Sequence, residues 1–353
     1  MSLDDDADKA MSLILTVDEL YEMPAPEWII QDTLPANSLV EVFGPSGEGK
    51  TFTVLDMALH VAYGRTWHGF QVRQTGVLYV CGEGLAGMKA RIQVWRDYHE
   101  GIESPPLYIT RHEIGFADPD AVSELIEAID SCVGEVGMVI VDTLHANFGH
   151  GNENSPDDMG RFLVGMRKLQ RHLTATVIAV HHTGHENQHR ARGHSSLKAA
   201  LDTEIQVAKS TTDEKLIGVT VTKQRCGSKW DEPQGFRFHV DETGWFDNFG
   251  EPITSCVLTP VDAIPELPGS TGDRRGSGRH QVAARGVVRD LGSVAQSYGD
   301  NDTRFIAQKD FDDAMRIEFP DRKLRSRMKR WLETEAGLLT PSIGGYSIDA
   351  NKI

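Results

Sequence analysis

Short, mainly apolar runs alternate along the chain with stretches in which apolar residues recur at every third or fourth position. The runs cover residues 39–43, 76–81, 138–143 and 175–180, and the stretches with helical spacing cover 54–62, 88–95, 122–129 and 159–169. Runs of this kind are typical of strands buried on both faces, and the stretches between them suit crossover helices. The pattern therefore predicts an α/β fold in which helices cover both faces of a parallel sheet.

Polar residues stand where these predicted strands end. Gly44, Glu83, Asp142 and His181 each fall at the carboxyl end of one of the four runs. In a parallel sheet those ends share one edge, and ligands bind in the crevice outside that edge. Four separate strand ends thus indicate a single site.

The pattern becomes strand-rich near residue 203. The strand-like segments are 203–209, 216–223, 236–240 and 244–246. We expect them to extend the parallel sheet in antiparallel fashion.

A segment rich in Pro, Gly, Ser and Arg at 265–280 has no apolar periodicity and is typical of a linker. It separates a large domain from a small one. The predicted organisation is a lead segment at 1–27, a core domain at 28–260, a linker at 261–280 and a small domain at 281–353.

The small domain combines helical stripes, a basic helix at 322–330 and a hairpin pattern at 338–348, which predicts a winged helix-turn-helix. Six basic residues of the basic helix span a wide face that suits phosphates and the major groove. Arg325 and Lys329 are therefore candidate contacts to duplex DNA. The alternative is a solvated basic helix that docks onto an acidic protein.

Composition narrows these possibilities. The chain has 353 residues, of which 36 are basic and 52 acidic, and its net charge of −16 lacks the basic footprint of a nucleic-acid-binding protein. Any DNA contact must come from local patches or from pores formed on assembly. The four cysteines form no CxxC pair, which predicts reduced thiols in a cytoplasmic protein. No apolar run reaches the roughly 18 residues of a membrane span, so no membrane association is expected.

The strongest chemical signal follows the first run. Residues 44–51 fit the phosphate-loop pattern G-x-x-x-x-G-K-[ST] between a strand and a helix. Glycines let backbone amides surround a phosphate, Lys50 can reach the β- and γ-phosphates of ATP, and Thr51 can ligate Mg²⁺. The alternative is an ordinary glycine-rich turn. The predicted nucleotide-binding residues are Gly44, Pro45, Ser46, Gly47, Glu48, Gly49, Lys50, Thr51 and Phe52.

Hydrolysis of a bound nucleotide needs a metal, a base for the attacking water and a counter-charge. Asp142 ends an apolar strand and fits a Walker B carboxylate that holds Mg²⁺. Glu83 stands between two glycines and could orient or deprotonate water. The alternatives are a solvated aspartate at a strand end and an ordinary loop glutamate.

His181 and His182 end the fourth strand, where a histidine could contact the γ-phosphate and report its loss. His185, His189 and His194 nearby also suggest a metal site, although their spacing matches no closed tetrahedral pattern. A polar loop without a ligand is the third interpretation.

Lys223 and Arg225 stand two positions apart on a predicted strand. They therefore lie on the same side of it, about 6.5 Å apart, and both could reach one phosphate group. The alternative is a pair of surface charges on an edge strand.

Taken in order, these motifs resemble the RecA-type ATPases of the RepA replicative helicase branch. The likeness covers about residues 28–250. The motifs are the phosphate loop, Gly-Glu-Gly at 82–84, Val-Asp-Thr-Leu at 141–144, His-His at 181–182, Arg-Gly-His-Ser-Ser at 192–196 before Asp202, and Lys-x-Arg-x-Gly at 223–227. The resemblance implies a ring, usually a hexamer, with ATP bound between subunits.

The resemblance also implies roles for the residues. From one subunit would come Lys50, Thr51, Glu83 and Asp142, with His182 or His181 as sensor of the γ-phosphate. Lys223 and Arg225 would enter from the next subunit as arginine-finger elements.

Loops 146–156 and 184–196 would face the pore of such a ring, where Arg190, Arg192 and Lys198 could contact single-stranded DNA. The chain departs from the family in two respects. Its Walker B strand ends in a single acid where many relatives carry two, and part of the first pore loop is acidic.

Three other functions stay open. The chain could be a regulatory ATPase or helicase loader that switches partners without unwinding DNA. It could be a P-loop kinase for a small metabolite, which would work as a monomer, or a DNA-binding regulator that uses ATP only to oligomerise.

Overall fold

The computed structural model describes residues 15–101, 104–182, 195–230 and 232–261, and shorter pieces beyond them. These pieces are residues 265, 267, 287–288, 291, 297–298, 303–318, 325, 329, 332, 339–342 and 345–349. By its internal contacts the chain divides into two compact units, Met1–Gly269 and Ser270–Ile353. Most of the predicted lead segment and linker lies outside the described residues.

The helices and strands of the first unit follow the apolar pattern. The described helices are α1 (Val17–Glu22), α2 (Lys50–Tyr63), α3 (Leu85–Tyr98), α4 (Pro119–Cys132), α5 (Pro156–Leu173) and α6 (Ser195–Ala200). The described strands are β1 (Trp28–Ile30), β2 (Leu34–Pro35), β3 (Leu39–Gly44), β4 (Gly76–Cys81), β5 (Leu107–Ile109), β6 (Val136–Asp142), β7 (Thr176–His182), β8 (Thr203–Lys209), β9 (Leu216–Gln224), β10 (Gln234–Phe246) and β11 (Pro252–Val261). Among the helices in the described part of the chain, none is both long enough and apolar enough to cross a bilayer.

A nine-stranded sheet forms the centre of this unit, in the order β11-β10-β9-β8-β3-β7-β6-β4-β5. The strands from β8 to β5 run parallel to one another. Strands β9, β10 and β11 continue the sheet in antiparallel fashion. The predicted mostly parallel sheet with an antiparallel extension is thus confirmed, and it matches a RecA-like P-loop core.

Side chains of the central strands alternate between two hydrophobic cores. On β6, Met138 and Ile140 belong to one core, whereas Val139 and Val141 belong to the other. Helices α2 and α3 contribute to the first core, and α4 and α5 contribute to the second. Because both faces of the strand are buried, its sequence is a continuous apolar run.

The helix starts differ between the two faces of the sheet. In α4 the side chain of Asp118 accepts a hydrogen bond from the backbone of Asp120, and in α5 Ser155 accepts one from Asp158. Such caps stabilise the first turn of a helix. By contrast, α2 has Gly49 at this position and no side-chain cap. No capping side chain therefore competes for the N–H groups of its first turn.

The described residues of the second unit form a small antiparallel sheet and a helix. The strands are β12 (Ser297–Tyr298), β13 (Thr303–Ala307), β14 (Thr340–Ser342) and β15 (Gly345–Asp349), in the order β12-β13-β15-β14, and the helix is α7 (Gln308–Glu318). Phe311 and Met315 are the buried residues of α7, and the ring centroids of Phe311 and Tyr346 are 4.8 Å apart.

The predicted hairpin of the second unit is present as β14 and β15, whereas the sequence pattern does not predict β12 and β13 beside it. The winged helix-turn-helix stays a prediction. Most of residues 319–338, which would contain its basic helix, lie outside the described residues.

A close contact fixes the packing of α5 in the first unit. Gly165 is buried, and a Cβ atom there would lie 2.1 Å from the carbonyl oxygen of Phe116. Phe116 is itself buried, and its ring centroid lies 5.8 Å from that of Phe162. A Cβ at Gly160, on the same helix, would meet no atom within 4 Å. Packing thus requires glycine at the first position and not at the second.

Gly165→Ala is expected to destabilise the first unit by about 1–3 kcal/mol, because the added methyl group overlaps the Phe116 carbonyl and α5 must shift. Gly160→Ala is the matched control and should stabilise by about 0.5–1 kcal/mol, because alanine favours the helix. Denaturant unfolding of both variants measures these free energies. Equal effects of the two substitutions would contradict the packing described.

Candidate functional site

The phosphate loop lies between the end of β3 and the start of α2. Gly47 and Gly49 have left-handed φ values of 78° and 96°, which residues with side chains disfavour. A Cβ at Gly49 would also lie 2.8 Å from Cζ of Phe238. The loop thus leads directly into an uncapped helix N-terminus, whose backbone N–H groups favour a phosphate anion.

Lys50 is the first residue of α2, and its ammonium group lies inside the loop. Nζ is 2.9 Å from the carbonyl oxygen of Gly44, 2.7 Å from that of Pro45 and 3.0 Å from Nδ1 of His182. An ammonium group only donates, so Nδ1 of His182 accepts and the ring proton lies on Nε2. The register of β3 with β7 explains the contact, because it places Gly44 beside His182.

Burial lowers the pKa of Lys50 from 10.5 to about 8, and the attraction of Asp142 and Glu48 opposes this shift. A phosphate anion beside Nζ would favour the charged form and raise the pKa again. Binding of a nucleotide and protonation of Lys50 are therefore linked.

Asp142 ends β6 and is 6% exposed. The hydroxyl of Tyr79 donates a hydrogen bond of 2.5 Å to its Oδ2, and among the described residues none gives Oδ1 a hydrogen bond of good geometry. Burial raises the pKa of Asp142, while hydrogen bonds from Tyr79 and Thr51 oppose that rise. A buried carboxylate oxygen without a hydrogen bond of good geometry, beside a threonine hydroxyl, fits the oxygen ligands that Mg²⁺ prefers.

Glu83 lies just beyond β4, whose last residue, Cys81, pairs with Asp142 of β6. The hydroxyl of Thr143 donates to Oε1 of Glu83 at 3.4 Å. Two carboxylates therefore stand at neighbouring strand ends, one buried and the other exposed. In this arrangement Asp142 can hold a metal while Glu83 accepts a proton from water.

These groups line one cleft with a volume of about 590 Å³. A cleft of this size suits a small-molecule ligand. Its lining residues are Ser46, Gly47, Gly49, Lys50, Thr51, Phe52, Glu83, Gly84, Arg91, Asp142, Thr143, His182, Lys209, Glu214, Lys215, Phe238 and Cys256. Of the predicted nucleotide-binding residues, Gly44, Pro45 and Glu48 do not line the cleft, whereas the others do and meet Glu83 and Asp142 there.

Several cations of the cleft are missing from the sequence-based set: Arg91 on α3, Lys209 at the end of β8, and Lys215 before β9. Lys209 ends a strand parallel to β3, so the rule that pointed to the other strand ends could have found it. The cations make the cleft suitable for a polyanion.

No comparable sequence rule would have placed Arg91 and Phe238 in the cleft. Arg91 Cζ lies 5.0 Å from the ring centroid of Phe52, and Phe52 meets Phe238 edge-on at 5.4 Å between ring centroids. Arg91 comes from a helix and Phe238 from an antiparallel strand, so only tertiary packing brings them to the phosphate loop.

Of the two adjacent histidines, His182 lines the cleft and His181 does not. His181 is 2% exposed, and its Nδ1 lies 2.7 Å from Oε1 of Glu41, which is 1% exposed. Successive side chains of a strand face opposite sides of the sheet, so both histidines cannot serve one cleft. The geometry favours His182 as a phosphate contact and gives His181 a buried polar pairing.

Lys223 and Arg225 lie at the opposite edge of the sheet from the phosphate loop. Strand β9 runs antiparallel to β8 and pairs Lys223 with Glu204, near the start of β8. The cleft borders the other end of β8, at Lys209. Neither Lys223 nor Arg225 lines the cleft of its own chain.

Both side chains instead contact the carboxyl end of α6. Nζ of Lys223 lies 2.6 Å from the carbonyl oxygen of Lys198 and 2.7 Å from that of Leu201. Nη2 of Arg225 lies 2.6 Å from the carbonyl oxygen of Ala199. Positive charges are favourable at this end of a helix.

Among the predicted contacts to single-stranded DNA, Arg190 and Arg192 lie outside the described residues. Lys198 is exposed on α6, with its Nζ 2.9 Å from Oε2 of the buried Glu204. The predicted pore loop at 146–156 is only partly on the surface, because Asn147 and Phe148 at its start are 0% and 3% exposed.

The predicted contacts to duplex DNA, Arg325 and Lys329, are helical residues of the second unit. Nζ of Lys329 lies 3.7 Å from Oδ1 of Asp312 and 5.3 Å from the ring centroid of Tyr346. Within its own unit Lys329 is thus held against α7 and β15.

Comparison with known proteins assigns the first half of the chain to a protein family. The sequence model AAA_25, described as an AAA domain, matches residues 9–188. This match includes the phosphate loop, Glu83, Asp142 and His182, and it ends before Lys223 and Arg225. No curated protein matches the chain.

The affinity for ATP is expected to fall above about pH 8, by up to about tenfold per pH unit, because free Lys50 then loses the charge that meets the phosphates. Since bound ATP requires the charged form, binding should also take up a proton in this range. Calorimetric titration with a non-hydrolysable ATP analogue, in buffers of different ionisation enthalpy, measures both effects.

Lys50→Arg is the matched control for this titration, because a guanidinium group stays charged throughout the range. Its affinity can be lower than that of the wild type, but it should not change with pH. A wild-type affinity that is equally flat would show that Lys50 does not titrate in this range.

Proposed function

The chain belongs to the AAA domain family of P-loop ATPases, and on this basis we propose that it is an ATP-driven DNA motor. In this proposal it is a ring-shaped replicative helicase of the RepA type, a hexamer by that resemblance, which hydrolyses ATP at subunit interfaces and moves along single-stranded DNA. AAA_25 domains occur in RecA-like replicative helicases. The observation that carries the proposal is the position of Lys223 and Arg225. They lie at the far edge of the sheet from the cleft, which contains the other residues that ATP hydrolysis needs.

Five side chains of the cleft have roles that their positions support. Lys50 and the amides of the phosphate loop bind the β- and γ-phosphates. Thr51 and Asp142 hold Mg²⁺, which when bound neutralises phosphate charge. Glu83 orients and deprotonates the water that attacks the γ-phosphate. His182 donates from Nε2 to the γ-phosphate and connects its loss to the end of β7.

Lys223 and Arg225 are the finger residues of this proposal, and they act on the nucleotide of a neighbouring subunit. Neither can serve the cleft of its own chain from the opposite sheet edge. The side chain of Arg225 is 50% exposed, which leaves its guanidinium group accessible to a second copy. An arginine supplied in this way accelerates phosphoryl transfer by about 10³–10⁵-fold.

The DNA contact is assigned to residues 184–196 and to α6, which follow β7 in the chain. Arg190, Arg192 and Lys198 supply its positive charge, since the chain as a whole is acidic. The finger residues contact the carboxyl end of the same helix α6. A change in the nucleotide beside the fingers would therefore reach the DNA-binding segment directly. In the second unit, Arg325 and Lys329 remain candidates for duplex DNA.

Glu83→Gln is expected to retain ATP binding and to lose DNA-stimulated hydrolysis by about 10²–10⁴-fold, because an amide cannot accept the proton of water. Phosphate release and displacement of a labelled DNA strand, measured on the same samples, should fall together. Glu214→Gln changes another carboxylate of the same cleft and should retain both activities.

Two results would contradict this assignment. Hydrolysis by Glu83→Gln at the wild-type rate would exclude Glu83 as the base. Hydrolysis by the wild type without strand displacement would exclude the motor and support the alternative, a regulatory ATPase or helicase loader.

Arg225→Ala is expected to lower hydrolysis by about 10³-fold or more while its own cleft still binds ATP. Lys50→Ala should lose phosphate binding and be equally inactive. Mixing the two variants should restore part of the activity, because an intact cleft of one subunit then meets an intact Arg225 of the other. Hydrolysis by the mixture is measured as phosphate release, and sedimentation shows whether mixed rings have formed.

Arg161→Ala is the matched control, since Arg161 is an exposed arginine of α5 that pairs with Asp158. It should keep full activity alone. A mixed ring that recovers no hydrolysis would exclude a finger in trans. A protein that stays monomeric with ATP and DNA would exclude the ring and favour the small-molecule kinase.

A further inference from the structure

A buried polar cluster lies two turns along α2 from the phosphate loop. It contains Asp56 and His60 of α2, His68 of the following loop and His99 at the end of α3. Asp56 and His60 are 2% and 4% exposed. None of the four residues lines the nucleotide cleft, so hydrolysis does not explain them.

Three donors hold the carboxylate of Asp56 in place. Trp67 Nε1 and His68 Nε2 contact its Oδ2 at 2.9 and 2.8 Å, and Trp95 Nε1 contacts its Oδ1 at 2.8 Å. A carboxylate can accept about four hydrogen bonds, two at each oxygen. Trp95 is the one donor with good geometry to Oδ1 among the described residues, so this oxygen can take one further partner.

The imidazoles of His60 and His99 have buried nitrogen atoms without a hydrogen bond of good geometry among the described residues. Nε2 of His60 is 3.5 Å from Oδ1 of Asp56, and neither ring nitrogen of His60 has a hydrogen bond of good geometry to a described residue. Nε2 of His99 is buried and likewise without one among these residues. Buried polar atoms without partners are rare in folded proteins and point to an ion or another ligand.

The spacing of these atoms is close to that of metal ligands. One ligand atom each of Asp56, His60 and His99 can be chosen so that all three lie within 4.8 Å of one another. Ligands bonded at about 2.0–2.1 Å in a tetrahedral site stand about 3.3 Å apart. The 3.5 Å between Nε2 of His60 and Oδ1 of Asp56 is near this value.

We propose that Asp56, His60 and His99 form a binding site for one divalent transition-metal ion of the Zn²⁺ type. Imidazole and carboxylate are ligands that Zn²⁺ binds, and three protein ligands leave the fourth position to water. The indole N–H groups of Trp67 and Trp95 orient the carboxylate, as outer-shell partners of metal ligands do.

The proposed ion would tie the middle of α2 to the end of α3, because its ligands come from both places. It differs from the Mg²⁺ of the nucleotide cleft in its ligands, which include imidazole nitrogens instead of oxygens alone. The inference is independent of the proposed motor function and can be tested without ATP or DNA.

The test uses the full-length protein, treated with a chelator and free of nucleotide. We expect it to bind one Co²⁺ per chain with the visible absorption of tetrahedral coordination, and Zn²⁺ to displace the Co²⁺. At about 100 times its dissociation constant, Zn²⁺ should raise the unfolding temperature by roughly 5–10 °C. His60→Gln and His99→Gln should each weaken binding by about 10–100-fold or more.

Two control variants locate the ion. His185, His189 and His194 lie outside the described residues, and their joint replacement by glutamine should leave the tightly bound ion in place. Asp142→Asn, which alters the Mg²⁺ site, should also leave it in place.

Either of two outcomes overturns the proposal: a wild-type protein that binds no Co²⁺ or Zn²⁺ tightly, or retention of the ion by both His60→Gln and His99→Gln. The cluster would then be a hydrogen-bonded polar core only. If His60→Gln fails to fold, His99→Gln decides alone, because His99 is partly exposed and its replacement disturbs the core less.

Discussion

Burial of the central strands on both faces is the constraint on which the rest of the structure depends. In β6, Ile140 packs into one core and Val141 into the other. A polar side chain on such a strand can therefore reach solvent or a ligand only at the end of the strand. Asp142 occupies that position. Glu41 and His181, which are both buried within the sheet, pair with each other at 2.7 Å, because burying a charge without a partner is costly. The reactive groups therefore lie at the ends of the strands, and the residues that stabilise the sheet lie along the strands, on both of its faces.

This constraint explains how much of the site could be predicted from the sequence. Glu83 and Asp142 follow apolar runs, and the parallel order that those runs imply is enough to bring them to one edge. The choice of His182 over its neighbour was not predictable, since it depends on which face of β7 packs against α2. The presence of Arg91 and Phe238 in the cleft could not be predicted either, because the rotation of α3 and the register of β10 are set by tertiary packing alone.

The middle of α2 shows a different limit of prediction. Its apolar stripe at 54–62 marks one side of a helix, and Asp56 and His60 fall on the opposite side. In the structure α3 covers that side, and the ring of His60 meets that of Trp95 at 5.2 Å between centroids. A carboxylate buried in this way must find donors, and Trp67 and Trp95 supply them from later parts of the chain. Helical periodicity contains no sign of such partners.

Helix α2 connects this cluster to the nucleotide cleft. Lys50 begins the helix and Asp56 lies six residues later, about 9 Å along its axis. The direction of α2 determines where Lys50 and the N–H groups of its first turn point, and the donors around Asp56 hold α2 to α3 and to the loop between them. These contacts therefore help to hold the helix that begins at the phosphate loop, although no residue of the cluster lines the cleft. The geometry of the phosphate site thus depends on buried polar contacts along the helix as well as on the glycines of the loop itself.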